Sequence, residues 1–139
     1  MSVLPYEILS HTADTGIEAT APSLAGLIDE LATGMFQLMG KVEPCPSDDT
    51  IEVELAAPTP EDLVVEILSE LLYVSEVEDM VLCGFHTTMA GPATAHVTAG
   101  GAPTSHVDVT GPPIKGVTYH DITVGRRGAG WFGRVYFDV

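Results

Sequence analysis

Two stretches of this chain have the hydrophobic spacing of α-helices, and that spacing limits the fold more than any other feature of the sequence. In residues 24–38, apolar side chains recur at steps of three and four, with Ser23 placed to cap the helix and Gly40 to end it. The second stretch begins with Thr59 at the N-cap and Pro60 at the first helical position, and an apolar stripe follows directly. We therefore predict two amphipathic helices.

The rest of the chain has the pattern of short strands. β-Branched and aromatic residues cluster or alternate between Gly and Pro positions, which is typical of strands separated by turns. The connection over residues 100–113 is rich in Gly, Pro and Thr, and we predict that it is irregular. The predicted strands cover residues 6–10, 16–21, 50–56, 81–88, 94–98, 117–124 and 131–137.

This order of elements, β-β-α-β-α-β-β-β-β, predicts the α+β class. We expect a two-layer α/β sandwich in which mixed, mostly antiparallel strands form one or two sheets and the two helices pack on one face. A length of 139 residues corresponds to a single domain over residues 1–139, and 45% hydrophobic content is enough for a substantial core.

The sequence favours a cytoplasmic protein with reduced cysteines. Apolar runs stay well short of the roughly 18 residues that suggest a membrane span, and no charged-then-apolar signal segment stands at the N-terminus. Cys45 and Cys83 are far apart in sequence and belong to no Cys-x-x-Cys or Cys/His pattern. We expect two thiols, neither disulfide-bonded nor bound to zinc.

The negative charge is unevenly distributed. Residues 1–79 hold 17 of the 20 acidic side chains and a single base, Lys41, whereas residues 80–139 carry a net charge of +1. With a total of −15 the chain should be repelled by a phosphate backbone, so autonomous nucleic-acid binding is not expected. Two explanations stay open: a basic protein partner, or the composition of a high-salt or GC-rich source.

Familiar enzyme motifs are missing from the sequence. It contains no Gly-x-Ser-x-Gly elbow, no phosphate-binding Gly-x-x-x-x-Gly-Lys loop and no Gly-x-Gly-x-x-Gly fingerprint. The five histidines have no i,i+4 or His-x-His spacing, so a histidine-rich metal site has little support. The basic segment 125–128 is predicted to be an exposed hairpin turn without an assigned role.

Carboxylates near the two ends of the chain point to a cation site. Asp14 follows the first predicted strand, while Asp138 and the α-carboxylate of Val139 would add two oxygen donors on consecutive residues. Oxygen donors suit calcium, magnesium or manganese better than zinc or copper. The alternative is that Asp14 caps the backbone of a turn and that the C-terminal residues fray.

Four motifs, in this order along nearly the whole chain, resemble those of the archease family. They are residues 11–16 (His-Thr-Ala-Asp-Thr-Gly), 68–73 (Leu-Ser-Glu-Leu-Leu-Tyr), 114–120 (Ile-Lys-Gly-Val-Thr-Tyr-His) and 137–139 (Phe-Asp-Val).

The resemblance implies an accessory protein rather than an enzyme. Archeases are small acidic proteins that work with the GTP-dependent RNA ligase of tRNA splicing and RNA repair. A member of this family is expected to promote guanylylation of the active-site histidine of the ligase, to allow multiple turnover, and to relax the choice of nucleoside triphosphate.

The resemblance also assigns residues. Asp14, Asp138 and the terminal carboxylate of Val139 match the family's metal-binding positions, with calcium favoured and magnesium or manganese as alternatives. Lys115 matches a lysine that is important for activation. The motif histidines are assigned with Lys115 to activation or partner contact; they are His11 and His120.

Two other classes of function are kept as alternatives. A stand-alone metal-dependent hydrolase would use the carboxylates with His11 or His120 as the general base, and it would turn over without a partner. A chaperone-like module would bind proteins broadly through the acidic surface, and its binding would survive the loss of Asp14 and Lys115.

Overall fold

The computed structural model describes residues 5–10, 14–46 and 51–139, with positions 9, 10 and 14 described by their backbone alone. Within these ranges, seven strands form two sheets in which every neighbouring pair is antiparallel. The four-stranded sheet has the order β1 (Tyr6–Ser10), β2 (Asp14–Ala21), β7 (Gly130–Asp138), β6 (Gly116–Arg127). The three-stranded sheet has the order β3 (Ile51–Ala56), β5 (Thr94–Pro103), β4 (Met80–Gly91).

Both predicted helices form, and their caps are those that the sequence indicated. Helix α1 (Leu24–Met39) begins where the Ser23 hydroxyl accepts a hydrogen bond from the Gly26 N–H at 3.0 Å, and it ends at Gly40. Helix α2 (Pro60–Glu78) begins where the Thr59 hydroxyl accepts from the Asp62 N–H at 3.1 Å. These side-chain bonds satisfy N–H groups that a helix start otherwise leaves without partners.

The core lies where the two helices meet both sheets. Helix α1 packs on β1, β2 and β7 and also on β4, while α2 packs on β6 and on β3 and β4. The fully buried side chains come from both helices and from both sheets, among them Leu27, Ile67, Phe137, Ile17 and Leu82. The α+β class with mostly antiparallel sheets is thus confirmed. Among the helices in the described ranges, none is long and apolar enough to cross a membrane.

The prediction of an irregular connection over residues 100–113 is wrong for its first part. Strand β5 continues to Pro103, a 3-10 turn follows at Thr104–His106, and Val109 forms a β-bridge with Gly40. The cause is close packing: a Cβ on Gly101 would lie 2.8 Å from the carbonyl oxygen of Val81 in β4. Gly101 therefore allows close contact between β5 and β4 and does not mark a turn.

The expectation of two free thiols is also wrong. Cys45 and Cys83 form a disulfide, with their Cα atoms 6.0 Å apart, which is within the usual range for a bridge. The segment after α1 returns against β4, so that 38 positions of sequence separate two neighbours in space. Sequence spacing alone cannot show such a pairing, because it depends on where the chain returns.

Reducing this disulfide should destabilise the protein. A disulfide that closes a loop of this length lowers the conformational entropy of the unfolded chain, which raises the free energy of unfolding by about 3 to 4 kcal/mol. Dithiothreitol should therefore lower the urea midpoint of the native protein. The double variant Cys45→Ser, Cys83→Ser serves as the control, since its midpoint should already be low and should not respond to the reductant. Equal shifts in both proteins would contradict this prediction.

Candidate metal and partner site

The register of β7 brings Asp14 and Asp138, which are far apart in sequence, together where their strands end in the four-stranded sheet. Asp138 is the direct partner of Asp14 on β2 and of Gly116 on β6. Directly opposed residues of an antiparallel pair have Cα atoms only about 4.5 to 5.5 Å apart. The backbones of Asp14 and Asp138, distant in sequence, are therefore neighbours in the fold.

Lys115 joins the same edge through its backbone. Its N–H donates a hydrogen bond to the carbonyl oxygen of Asp138 at 2.7 Å, just before β6 begins. Lys115, Asp138 and Val139 are all exposed. These residues lie where β2 and β6 begin and β7 ends, and not along an outer strand of the sheet. We call this region, formed by Asp14, Lys115, Asp138 and Val139, the carboxylate edge.

Gly16, the last residue of the first motif, is required by close packing beside the carboxylate edge. It lies opposite Tyr136, and a Cβ at this position would lie 2.6 Å from the Tyr136 ring. Tyr136 is buried, and it shares a face of β7 with Asp138 because strand residues two apart point the same way. Sequence reasoning did not single out Tyr136, although its spacing from Asp138 is the signal that could have found it.

His120 lies on an irregular part of β6 that faces Tyr136. The β6–β7 register shifts between Thr118 and Thr123, and Asp121 within this bulge has a positive φ of 51°. The His120 ring centroid lies 6.1 Å from that of Tyr136, and its Nε2 is 3.3 Å from the Asp121 carboxylate. Bulges of this kind re-aim side chains, and here the bulge turns His120 over the ring that neighbours Asp138.

The expected ligand set stays a prediction. His11 and the side chain of Asp14 lie outside what the structure describes. Among the side chains that it does describe, no group of three His, Cys, Asp or Glu residues is arranged to hold a metal ion. What the structure does describe is that Asp138 is exposed and that the backbone of Asp14 lies beside it.

Asp29 is a partly buried carboxylate that sequence reasoning missed. The Thr87 hydroxyl of β4 donates to Asp29 Oδ1 of α1 at 2.6 Å. Burial raises the pKa of Asp29 above its ordinary value, and the hydrogen bond from Thr87 opposes that rise. This contact links α1 to the three-stranded sheet, whereas the carboxylate edge belongs to the four-stranded sheet, so we interpret Asp29 as structural.

These features define a class: a small α+β protein of two antiparallel sheets, with an exposed edge where β2, β6 and β7 meet. The chain matches the family model described as "Archease protein family (MTH1598/TM1083)" over residues 6–139. It therefore belongs to the archease family, as the four motifs predicted.

Relatives and solved structures agree with this assignment. The archease of Methanosarcina mazei is 32% identical over 139 residues, covering 96% of this chain and 95% of the relative. That of Methanosarcina barkeri is 29% identical with the same coverage.

Two solved structures share the fold at 20% identity. The solution structure of Methanobacterium thermoautotrophicum protein 1598 has a TM-score of 0.77, covering 97% of this chain and 99% of that one. The crystal structure from Thermotoga maritima, described as "an archease, possible chaperone", has a TM-score of 0.67 with 96% of both chains covered.

The contact between Gly16 and Tyr136 yields a stability prediction. Gly16→Ala should destabilise the protein by about 1 to 3 kcal/mol, because the added methyl group must displace a buried ring. Gly125→Ala is the matched control: Gly125 is also a strand glycine, but a Cβ there meets nothing within 4 Å. Urea unfolding of the two variants measures the difference, and equal midpoints would argue against the contact.

Proposed function

We propose that this archease is a metal-binding activator of the GTP-dependent RNA ligase of tRNA splicing and RNA repair. It promotes guanylylation of the ligase's active-site histidine, supports repeated turnover, broadens the use of nucleoside triphosphates, and does not itself perform the ligation. The observation that carries this proposal is the register that sets Asp14, Asp138 and Lys115 side by side at an exposed edge. Membership of the family supports it.

The carboxylate edge suits a hard divalent cation. Asp14, Asp138 and the terminal carboxylate of Val139 would supply oxygen ligands, with calcium favoured and magnesium or manganese as alternatives. A bound cation contributes positive charge where the nucleotide phosphate becomes more negative during guanylyl transfer. An edge that is exposed rather than buried can present this charge to another protein.

Lys115 adds a compact positive charge at the same edge. Its backbone is held by Asp138 while its side chain is exposed, so the ammonium group is free to reach a phosphate or a partner carboxylate. His120 would contribute to partner contact, and its position near the Tyr136 ring, on the side of β7 that also carries Asp138, supports this role. The role of His11 stays a prediction.

The acidic surface supports a basic partner. An enzyme that grips RNA must present a positively charged groove, and this chain has a net charge of −15. Complementary charge of this kind mainly speeds encounter and orients docking. It also suits a broader chaperone-like role in protein binding, which is the second candidate and agrees with the description of the Thermotoga maritima structure.

Substitutions at the carboxylate edge should impair activation. In single-turnover guanylylation of the cognate ligase, we expect Asp14→Asn, Asp138→Asn and Lys115→Gln each to slow the reaction about 10- to 100-fold, since each removes charge or ligands near the transferred phosphate. Deletion of Val139 should act similarly, because it displaces the terminal carboxylate from the position that the family resemblance assigns to a ligand.

Matched controls separate these effects from a change in net charge. Asp108→Asn and Lys41→Gln alter exposed residues elsewhere and should leave the rate unchanged. Calcium, magnesium and manganese titrations of the same set measure metal binding directly, and Asp14→Asn and Asp138→Asn should weaken it. Wild-type activation by all of the carboxylate-edge variants would contradict the proposal. Ligase binding that is unchanged by these substitutions would favour the chaperone-like candidate.

Ionic strength should act on association and not on the guanylylation step. At 0.1 M, salt screens charges that are farther apart than about 10 Å. A higher salt concentration should therefore slow association with the ligase and lower the guanylylation rate when the archease is subsaturating. At saturating archease the single-turnover rate should hold nearly constant. Stimulation that is indifferent to salt at low archease concentration would remove charge steering from the mechanism.

A further inference from the structure

Two of the chain's five Lys and Arg residues, Arg126 and Arg127, lie at the hairpin end of β6 and β7, far from Asp138, and a third, Arg134, lies in the middle of β7. The guanidinium carbon of Arg127 lies 3.8 Å from the Phe132 ring centroid, and that of Arg126 lies 5.7 Å from the centroid of Trp131. The guanidinium carbon of Arg134 also lies over Phe132, at 5.6 Å. Each distance is within the range of a cation–π contact.

Two of these arginines are without an acidic partner in the described part of the chain. Arg134 Nε donates to the Glu18 carboxylate at 3.1 Å, whereas neither Arg126 nor Arg127 forms such an ion pair. This is unexpected in a chain with 20 acidic residues. A guanidinium that lies over a ring keeps its in-plane N–H groups available, and these groups bind the oxygens of a phosphate or carboxylate.

Trp131 borders two open grooves beside these cations. The first, of about 440 Å³, is formed by Arg127, by the hairpin turn and by the connection from β2 to α1. Gly130, on its border, packs closely against the end of β2, because a Cβ there would lie 2.7 Å from the Ala21 carbonyl oxygen. The second, of about 410 Å³, is lined mainly by apolar residues, including Met89, Pro92 and Pro58.

A nucleotide fits this combination of groups. A guanidinium group without an acidic partner would bind its phosphate, and the aromatic ring and apolar grooves would bind its base. The base can stack on flat apolar surfaces without sequence preference, and the phosphate accepts charge-assisted hydrogen bonds. An acidic peptide would use the arginines but would have no need for the tryptophan between the grooves. Glu61 and Asp62 follow Pro60 at the second groove, so a long polyanion running past the hairpin would be repelled.

We propose that the hairpin end of the four-stranded sheet is a nucleoside phosphate site, in which Arg127 binds the phosphate and Trp131, with Arg126 over its ring, provides the surface for the base. The ligand is compact: a free nucleotide or the phosphorylated end of an RNA strand. This site is separate from the carboxylate edge, and its ligand binding does not require the ligase.

The chain's single tryptophan makes the test specific, because its indole N–H gives one NMR signal at the site itself. The probes are GMP, inorganic phosphate, a short single-stranded RNA with and without a 5′-phosphate, and a glutamate-rich peptide. We expect GMP to shift the indole signal more than inorganic phosphate does. A larger shift with GMP than with the phosphorylated RNA identifies a free nucleotide as the ligand, and the reverse order identifies a strand end.

Charge-removing variants show whether the arginines bind the ligand. Arg127→Gln should weaken binding about tenfold or more, Arg126→Gln should weaken it less because Arg126 supports the Trp131 ring, and the double variant should abolish the shift. Lys41→Gln removes one positive charge from an exposed site elsewhere and should bind as the wild type does. Arg126 and Arg127 are exposed, and a dispersed amide spectrum verifies that each variant is folded.

Three results would overturn the proposal. The first is an indole signal that no phosphate-bearing probe shifts. The second is wild-type binding by the Arg126→Gln, Arg127→Gln double variant. The third is a shift caused by the glutamate-rich peptide but not by the nucleotides, which would assign the hairpin to an acidic protein partner.

Discussion

The pairing of β7 with β2 on one side and β6 on the other is the constraint on which both the core and the carboxylate edge depend. Val135 and Phe137 of this strand are completely buried against the helices, while Tyr136 and Asp138 alternate with them toward the other face. A slip of one residue would exchange the two faces, removing Phe137 from the helix-packed core and turning the Asp138 carboxylate into it. Burial of Val135 and Phe137 therefore fixes the position of Asp138, one of the proposed metal ligands, on the strand.

The paired strands β6 and β7 carry opposite charges at their two ends. Asp138 lies at one end beside Asp14 and Lys115, and the arginines of the β6–β7 hairpin lie at the other. An antiparallel strand is extended, at roughly 3.4 Å per residue, so β7 keeps the two groups well apart. One rigid element can thus hold the proposed cation site and the proposed phosphate site without mutual neutralisation.

Sequence reasoning succeeded where the determining interactions are local. The Ser23 and Thr59 caps act within three residues, so the helix starts were predictable from the residues themselves. It failed for the Cys45–Cys83 disulfide and for the extension of β5 to Pro103, because both depend on contacts with β4 that residue spacing does not encode. The carboxylate edge falls between these cases: its residues were identified by motif, but Asp14 and Asp138 could be shown to be neighbours only through strand register.

The sequence by itself determined the order of helices and strands, the α+β class, the membership of the archease family and the strong negative charge, since periodicity, capping, motifs and composition are properties of neighbouring residues or of sums over the chain. Only the tertiary structure decided which distant residues meet. It paired Asp14 with Asp138, set the His120 ring over Tyr136, and left Arg126 and Arg127 without acidic partners among the described residues. The physical reason is that strand register follows from burying one face of each strand, a condition that involves the whole core at once.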